Sequence, residues 1–362
     1  MRPGRWKSVT TACRQLKIDV RRTVRPVGLA TSLALAASNP ALADEGGVSF
    51  WLPGEFGSLA AAPLVPGWAV GIINVYESVS ASGNVAAARE VTIGKLNPNV
   101  NVNLNLSLSA HPDLVLVDPA YVFATKVLGG QLAVSMGAAA GRSSGELDGT
   151  LTVVAGPLIA TRQGQITDAR YGFSDLYPET SLRWNSGVHS WMVYAAGDIP
   201  VGTYDSTRLA NLGIGHGAID GGAGYTYFDE KNEFSVVTGM TYNFLNPSTG
   251  YQSGIDWHVD WAASQFVTKT TQVGIVGYFF RQLTADRGAA AFLGENLTQV
   301  AGIGPQLGFL FPAGSMQGYL NLKAYAEFAA ENRAAGFNAW VTLSFSPKPP
   351  EAATPKPRMF TK

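Results

Sequence analysis

Residues 97–109 read N-P-N-V-N-V-N-L-N-L-S-L-S. Asn99, Asn101, Asn103, Asn105, Ser107 and Ser109 alternate with Val100, Val102, Leu104, Leu106 and Leu108. A period of two is the side-chain period of a β-strand, and no helix could sort these residues onto two separate faces. One face carries only amides and hydroxyls, the other only aliphatic chains. In a water-soluble sheet the aliphatic face meets a core and the polar face meets water. In an outer-membrane barrel the aliphatic face meets lipid and the polar face lines a lumen.

The N-terminus bears on that choice. Of the 26 basic and 26 acidic side chains, eight basic ones and a single acid, Asp19, fall within residues 1–43. A short apolar run from Val27 to Ala37 follows the basic region, and Ala41-Leu42-Ala43 precedes Asp44. This is the layout of a secretory signal cleaved near Ala43. Removing it leaves an exported chain with a net charge near −7 and no thiol, because the one cysteine, Cys13, lies inside it. Disulfides, cysteine metal sites and a cysteine nucleophile are excluded together. Nothing in the charge pattern suggests nucleic-acid binding. No run of about 18 apolar residues follows Ala43, so a transmembrane helix is not expected.

Alternating segments lie near 67 to 79, 98 to 109, 113 to 124, 131 to 141, 148 to 155, 170 to 184, 188 to 200, 221 to 228, 232 to 242, 254 to 267, 271 to 283, 298 to 311, 315 to 328 and 336 to 346. Short turns are expected at His111-Pro112, 185–187, 229–231, 269–270 and 312–314. Longer loops are expected at 80–97, 156–169, 201–220, 243–253 and 284–297. Short connections on one rim and long ones on the other are the mark of an outer-membrane barrel. The expected fold is an all-β transmembrane, antiparallel, up-and-down β-barrel of about 14 strands with short periplasmic turns and longer extracellular loops. Twelve is the alternative count, because the connections at 125–130 and 142–147 break the short-long alternation. Aromatics near strand ends, among them Trp68, Tyr76, Trp184, Trp191, Tyr242, Tyr278 and Phe311, fit interfacial girdles.

Period-two sorting also gives the candidate lumen residues. Asp256, His258 and Asp260 share one face, and Tyr319, Asn321, Lys323, Tyr325 and Glu327 share another. Asn338 and Trp340 share a third. Residues two apart on a strand are about 7 Å apart, so His258 needs help from another strand to form a direct contact. The simplest reading is that charged lumen residues pair across strands; a tuned imidazole or a metal is the sharper one. Lys323 and Glu327, about 13 Å apart, each need a partner from a neighbouring element. Arg281 falls on the face of Val273, Ile275 and Phe279, where a mid-bilayer position would cost about 2 to 4 kcal/mol. His111, His189 and His216 lie in separate turns or loops, so no metal-ligand spacing exists and no cofactor is expected. His189, beside Ser186 and Asn185, is the seed of an alternative reading as a lipid hydrolase, though no G-x-S-x-G elbow is present.

Several stretches carry a resemblance: 45–68 (E-G-G-V-S-F-W-L-P-G-E-F-G-S-L-A-A-A-P-L-V-P-G-W), 204–213 with 224–229, 251–261, 277–288 and 302–323. In these the chain resembles the bacterial outer-membrane family labelled "MetA-pathway of phenol degradation". The resemblance implies a barrel related to the long-chain fatty-acid transporter type, with hydrophobic substrates and an N-terminal segment plugging the lumen. On that basis residues 1–43 are a signal peptide, 44–66 a plug or periplasmic segment with Phe50, Trp51 and Phe56 as its aromatics, 67–346 the barrel, and 347–362 a Pro-rich disordered tail. The expected function is passive uptake of small hydrophobic, including aromatic, compounds across the bacterial outer membrane by a monomer that is not an enzyme. Its partners are outer-membrane lipid, the solute and the barrel-assembly machinery. A lipid hydrolase, or a structural or adhesin barrel, is the alternative.

Overall fold

The structure, a computed structural model, describes residues 49–82, 103–155, 158–288 and 297–349. The expected signal segment, residues 44–48, most of the 80–97 loop, the first residues of the 97–109 stretch and the tail from residue 350 lie outside the described residues, as do the side chains of residues 82, 103–106, 151–155 and 158–162. The strands are β1 (Gly67–Ser82), β2 (Asn103–Ala110), β3 (Asp113–Val127), β4 (Gly130–Ala155), β5 (Leu158–Ser186), β6 (His189–Asp198), β7 (Ala218–Phe228), β8 (Asn232–Asn243), β9 (Tyr251–Gln252), β10 (Asp256–Phe266), β11 (Thr271–Gln282), β12 (Arg287–Gly288), β13 (Gln299–Ala313), β14 (Met316–Glu331) and β15 (Ala335–Pro347). Each barrel strand pairs antiparallel with its neighbours, and β15 pairs with β1, so the sheet closes on itself. The small β9–β12 pair stands apart from it.

The barrel closes on twelve strands, the lower of the two expected counts, because β2 and β3 behave as one. Val79 faces Ala110 and Tyr76 faces Asp113, an unbroken register along β1. On the other side Ala110 faces Gly145 and Asp113 faces Arg142, unbroken along β4. The link between them therefore runs straight on, and the turn expected at His111-Pro112 does not exist. His111 N–H donates to Ser144 O (2.8 Å) and Glu77 N–H donates to Pro112 O (3.0 Å). Pro112 has no N–H to return to Glu77, so one rung of the ladder loses a bond while the strand continues. The connection expected at 142–147 is likewise the middle of β4. The loop expected at 156–169 is mostly the start of β5, which pairs with β4 from Ala155↔Leu158 onward.

The remaining turns fall where the alternation places them. Leu128 (φ 50°) and Gly129 (φ 76°) form a two-residue hairpin between β3 and β4, as a turn with both central residues left-handed requires. The turns at 187–188, 229–231, 267–270 and 314–315 share this rim with the start of β1 and the end of β15. Among the described residues, the connections 199–217 and 244–255 and the short turn 332–334 emerge from the opposite rim. One of these, 199–217, is fastened to the wall: Arg208 pairs with Asp168 of β5, and Ala210 N–H donates to the same carboxylate at 3.0 Å.

Strand faces follow the sequence period. In β8, Glu233, Ser235, Val237, Gly239, Thr241 and Asn243 are buried, while Phe234, Met240 and Tyr242 are exposed to the outside. Trp68, Trp191 and Tyr242 face outward near strand ends, as girdle residues do, while Tyr76 faces outward from the middle of β1. Tyr278 does not: its ring lies on the inward face of β11, 2% exposed. Arg281 is exposed on the outer face of β11, one residue from the strand's end, where its guanidinium can reach the headgroup zone.

Candidate functional site: the barrel interior

The interior of the barrel is occupied by its own chain. Residues 49–61 run along the inward faces of β7, β8, β10 and β14 and are held mainly through their backbone. Asp260 accepts Gly54 N–H at 3.0 Å and Phe56 N–H at 3.1 Å. Glu233 accepts Leu59 N–H (3.0 Å) and the Ser58 hydroxyl (2.7 Å), and Thr226 accepts Ala61 N–H (3.0 Å). Lys323 donates to Gly54 O (2.6 Å) and Glu55 O (3.3 Å), and its ammonium stands 4.9 Å from the centroid of Trp340. These side chains supply partners that a neighbouring strand would otherwise give, and buried backbone polar groups require them. Gly54 has φ 93°, and a Cβ there would sit 2.9 Å from the Tyr325 ring, so glycine is needed on both counts.

Above this turn Trp51 stacks on His258, and the imidazole is fixed from its other side. His258 Nε2 lies 3.0 Å from Asp220 Oδ2, and Asp220 also accepts the Tyr194 hydroxyl (2.7 Å) and the Thr241 hydroxyl (2.6 Å). The partner that period-two spacing could not supply therefore comes from β7. Tyr194 reaches across two strands to do this: a Cβ at Gly222 would meet its ring at 2.7 Å, and one at Gly239 would meet its hydroxyl at 2.2 Å. Phe56 packs against both Trp51 and Tyr194, with centroids 5.5 and 5.4 Å apart.

A second network lies on the β11–β15 side. Tyr278 donates to Glu327 (2.6 Å), Gly336 N–H donates to the same carboxylate (2.8 Å), and Asn338 donates to Tyr278 (2.9 Å). Trp340 Nε1 donates to Asn338 Oδ1 at 3.0 Å. Tyr325 packs on Tyr278 with centroids 4.9 Å apart, and Asn321 donates to the Tyr319 hydroxyl at 3.2 Å.

Every candidate lumen residue from the sequence thus points inward. The structure gathers His258 and Asp260 with Phe56 and Trp51 around one turn of the interior segment, and joins Lys323 and Tyr325 to it. Asp256 sits higher, accepting from Asn243 (2.9 Å), and Tyr319 lies toward the opposite rim. Phe50 packs near Tyr177 at 6.1 Å. The expectation that ionisable lumen residues pair across strands holds for His258 and Asp220; Asp260, Glu233 and Glu327 instead take neutral N–H and O–H donors, and Lys323 takes carbonyls. A low dielectric makes such satisfied polar contacts worth keeping without a counter-charge. Sequence reading missed Tyr194, Asp220, Glu233 and Thr226. Their signal was present as inward parity, but only the register shows which of them meet.

Of the residues that seed the hydrolase alternative, His189 is on the outer face opposite Ser186 in the β5–β6 register, its Nδ1 2.8 Å from the Tyr225 hydroxyl, and the Asn185 side chain donates to Ser190 rather than to His189's ring. Among the described residues no cluster of three His, Cys, Asp or Glu could hold a metal ion.

A closed antiparallel barrel with outward-facing aromatics, a polar interior and its long loops confined to one rim is an outer-membrane β-barrel. Residues 99–343 match the sequence profile of the family described as "Putative MetA-pathway of phenol degradation", and the chain belongs to that family. The COG4313 outer membrane channel from Pseudomonas putida F1 aligns over 79% of this chain and 97% of its own at 14% identity, with a TM-score of 0.57, which shows a shared fold. A Pseudomonas aeruginosa FadL homologue covers 85% of this chain and 98% of its own at 9% identity and a TM-score of 0.39, too low to carry an argument. No curated protein matches the chain by sequence.

Proposed function

We propose that this protein is an outer-membrane channel for passive uptake of small hydrophobic, chiefly aromatic, compounds, with residues 49–66 as a plug. The observation that carries this reading is the interior itself. Trp51, Tyr194, Phe280, Tyr325 and Trp340 form one buried cluster inside the barrel, interleaved with polar groups that orient rather than repel. Such a mixed lining, mainly apolar with a few placed donors and acceptors, is what a site for aromatic solutes presents. The plug is held by few apolar side chains and many hydrogen bonds, so a solute that offers rings to Phe56 and Tyr194 can compete with Trp51. Asp256, His258, Asp260, Tyr319, Asn321, Lys323, Tyr325, Glu327, Asn338 and Trp340 are the wall of the path, and Phe50, Trp51 and Phe56 its movable side. The fold shared with a Pseudomonas putida outer membrane channel, and the phenol-degradation description of the family, support the reading.

The test is influx of 2-naphthol into liposomes with a lipopolysaccharide outer leaflet. The full exported chain should speed the fluorescence change several-fold over protein-free vesicles. Equal rates would overturn the proposal.

A further inference from the structure

The inward wall formed by β3 to β6 carries a group of acids that no basic side chain neutralises by an ion pair among the described residues. On one inward rung Gly71 of β1 faces Asp118 of β3, and Gly137 of β4 faces Tyr177 of β5. A Cβ on Gly137 would lie 3.6 Å from Asp118 Oδ1, so these two pairs are side by side. The β5–β6 register, with Glu179 opposite Ala196 and Leu176 bridged to Ile199, sets Asp198 across from Tyr177. One rung down stand Ala120, Ser135, Glu179 and Ala196. Glycines and alanines leave a recess between the carboxylates. Phe50 of the interior segment packs on its Tyr177 edge, and the Glu55 carboxyl of the same segment lies within electrostatic reach of Glu179 and Asp118.

Among the described residues none of Glu55, Asp118, Glu179 and Asp198 forms an ion pair. Arg183 shares their face and lies within electrostatic reach of Glu179, but its two terminal nitrogens donate to the Ser181 hydroxyl and Ala60 O, and it forms no ion pair with the acids. Lys323 is committed to the carbonyls of Gly54 and Glu55. Asp198 is the independent pointer to a ligand: it is 7% exposed, and neither carboxylate oxygen has a hydrogen-bond partner. An isolated buried carboxylate is costly unless something positive or donating joins it.

We propose that this recess binds the ammonium group of a hydrophobic amine, with Asp118, Glu179, Asp198 and Glu55 as counter-charge and Tyr177 and Phe50 as the aromatic wall. Carboxylates in a low-dielectric cleft attract cations and repel anions, and a ring face adds cation–π attraction. The channel therefore prefers cationic amphiphiles to organic acids. This inference rests on the conduit reading above and names the solute class within it.

The experiment is calorimetric titration of the full exported chain, solubilised in non-ionic detergent, with benzyltrimethylammonium and with benzenesulfonate. Both probes carry one ring and a permanent charge. Saturable binding of the cation and none of the anion is expected, with at least tenfold weaker cation binding in Asp198→Asn and in Glu179→Gln. Glu179 is only half-buried, so its variant gives an answer even if Asp198→Asn fails to fold. Equal binding of the two probes, or unchanged cation binding in a folded variant, would overturn the inference. A protein that admits 2-naphthol but does not distinguish the probes defeats the amine site alone; one that binds the cation but admits no 2-naphthol defeats the conduit alone.

Discussion

The indole of Trp51 lies flat on the imidazole of His258, with ring centroids 3.7 Å apart and planes 13° from parallel. This one contact joins the interior segment to a histidine whose far side is fixed by Asp220. Replacing a buried tryptophan by alanine costs about 3 to 5 kcal/mol where the site cannot collapse. In Trp51→Ala that cost falls on residues 49–61, because the ladders closing the barrel do not involve them. The variant should still show heat-modifiable migration on gels. Its interior segment should become open to protease, and single-channel conductance should rise several-fold. Wild-type conductance would mean that this segment does not limit the path.

Asp260 should govern the local stability of the Gly54 turn. Asp260→Ala leaves two N–H groups without their acceptor, at about 1 to 3 kcal/mol each. Since about 1.4 kcal/mol is a factor of ten, amide exchange at Gly54 and Phe56 should quicken at least tenfold while β10 amides stay protected. Asp260→Asn, which keeps one carbonyl oxygen, should fall between the two.

The lipid face is tested on β11. Ile275 is 49% exposed on the outer face and sits mid-strand, so Ile275→Arg should cost about 2 to 4 kcal/mol and lower the yield of assembled barrel. Arg281→Ile, one residue from the strand's end, should leave assembly unchanged. Similar yields for Ile275→Arg and wild type would place that face away from lipid.

The β7–β8 turn should be an acid-sensitive element. Asn232 N–H (2.6 Å), the Asn232 side-chain amide (3.1 Å), Lys231 N–H (3.1 Å) and the Tyr227 hydroxyl (3.0 Å) all donate to Asp229. Together, with the Asn232 backbone bond foremost, they hold its carboxyl at about 2 rather than the ordinary 3.8. A depressed folded value means the stabilisation is complete above the unfolded value and is lost as pH falls through the folded one. The Asn232 amide resonance should therefore shift between pH 4 and pH 2, and Asp229→Asn should abolish that shift.

Much of this was legible in the chain because a strand's side-chain period is a local property. Asp256, His258 and Asp260 could be assigned to one face from spacing alone, as could the ladder from Tyr319 to Glu327, and all face inward. The girdle assignment failed at Tyr278 for a related reason. An aromatic near a strand end says nothing of its face until parity is fixed, and Tyr278 shares parity with Val276 and Phe280.

Connections were less legible, since a turn is defined by what the flanking strands pair with. His111-Pro112 has the composition of a turn, yet β1 and β4 run past it without a change of register, and β4 runs through the connection expected at 142–147, so the count falls from fourteen to twelve. The sequence by itself determined that this is a chain of period-two strands with one polar and one apolar face, because alternation along a strand is written residue by residue. Only the tertiary structure decided that the strands close into a barrel, how many of them close it and which inward residues meet. Asp220 reaches His258, and Tyr194 crosses Gly222 and Gly239, through register and shear, which arise when distant strands align.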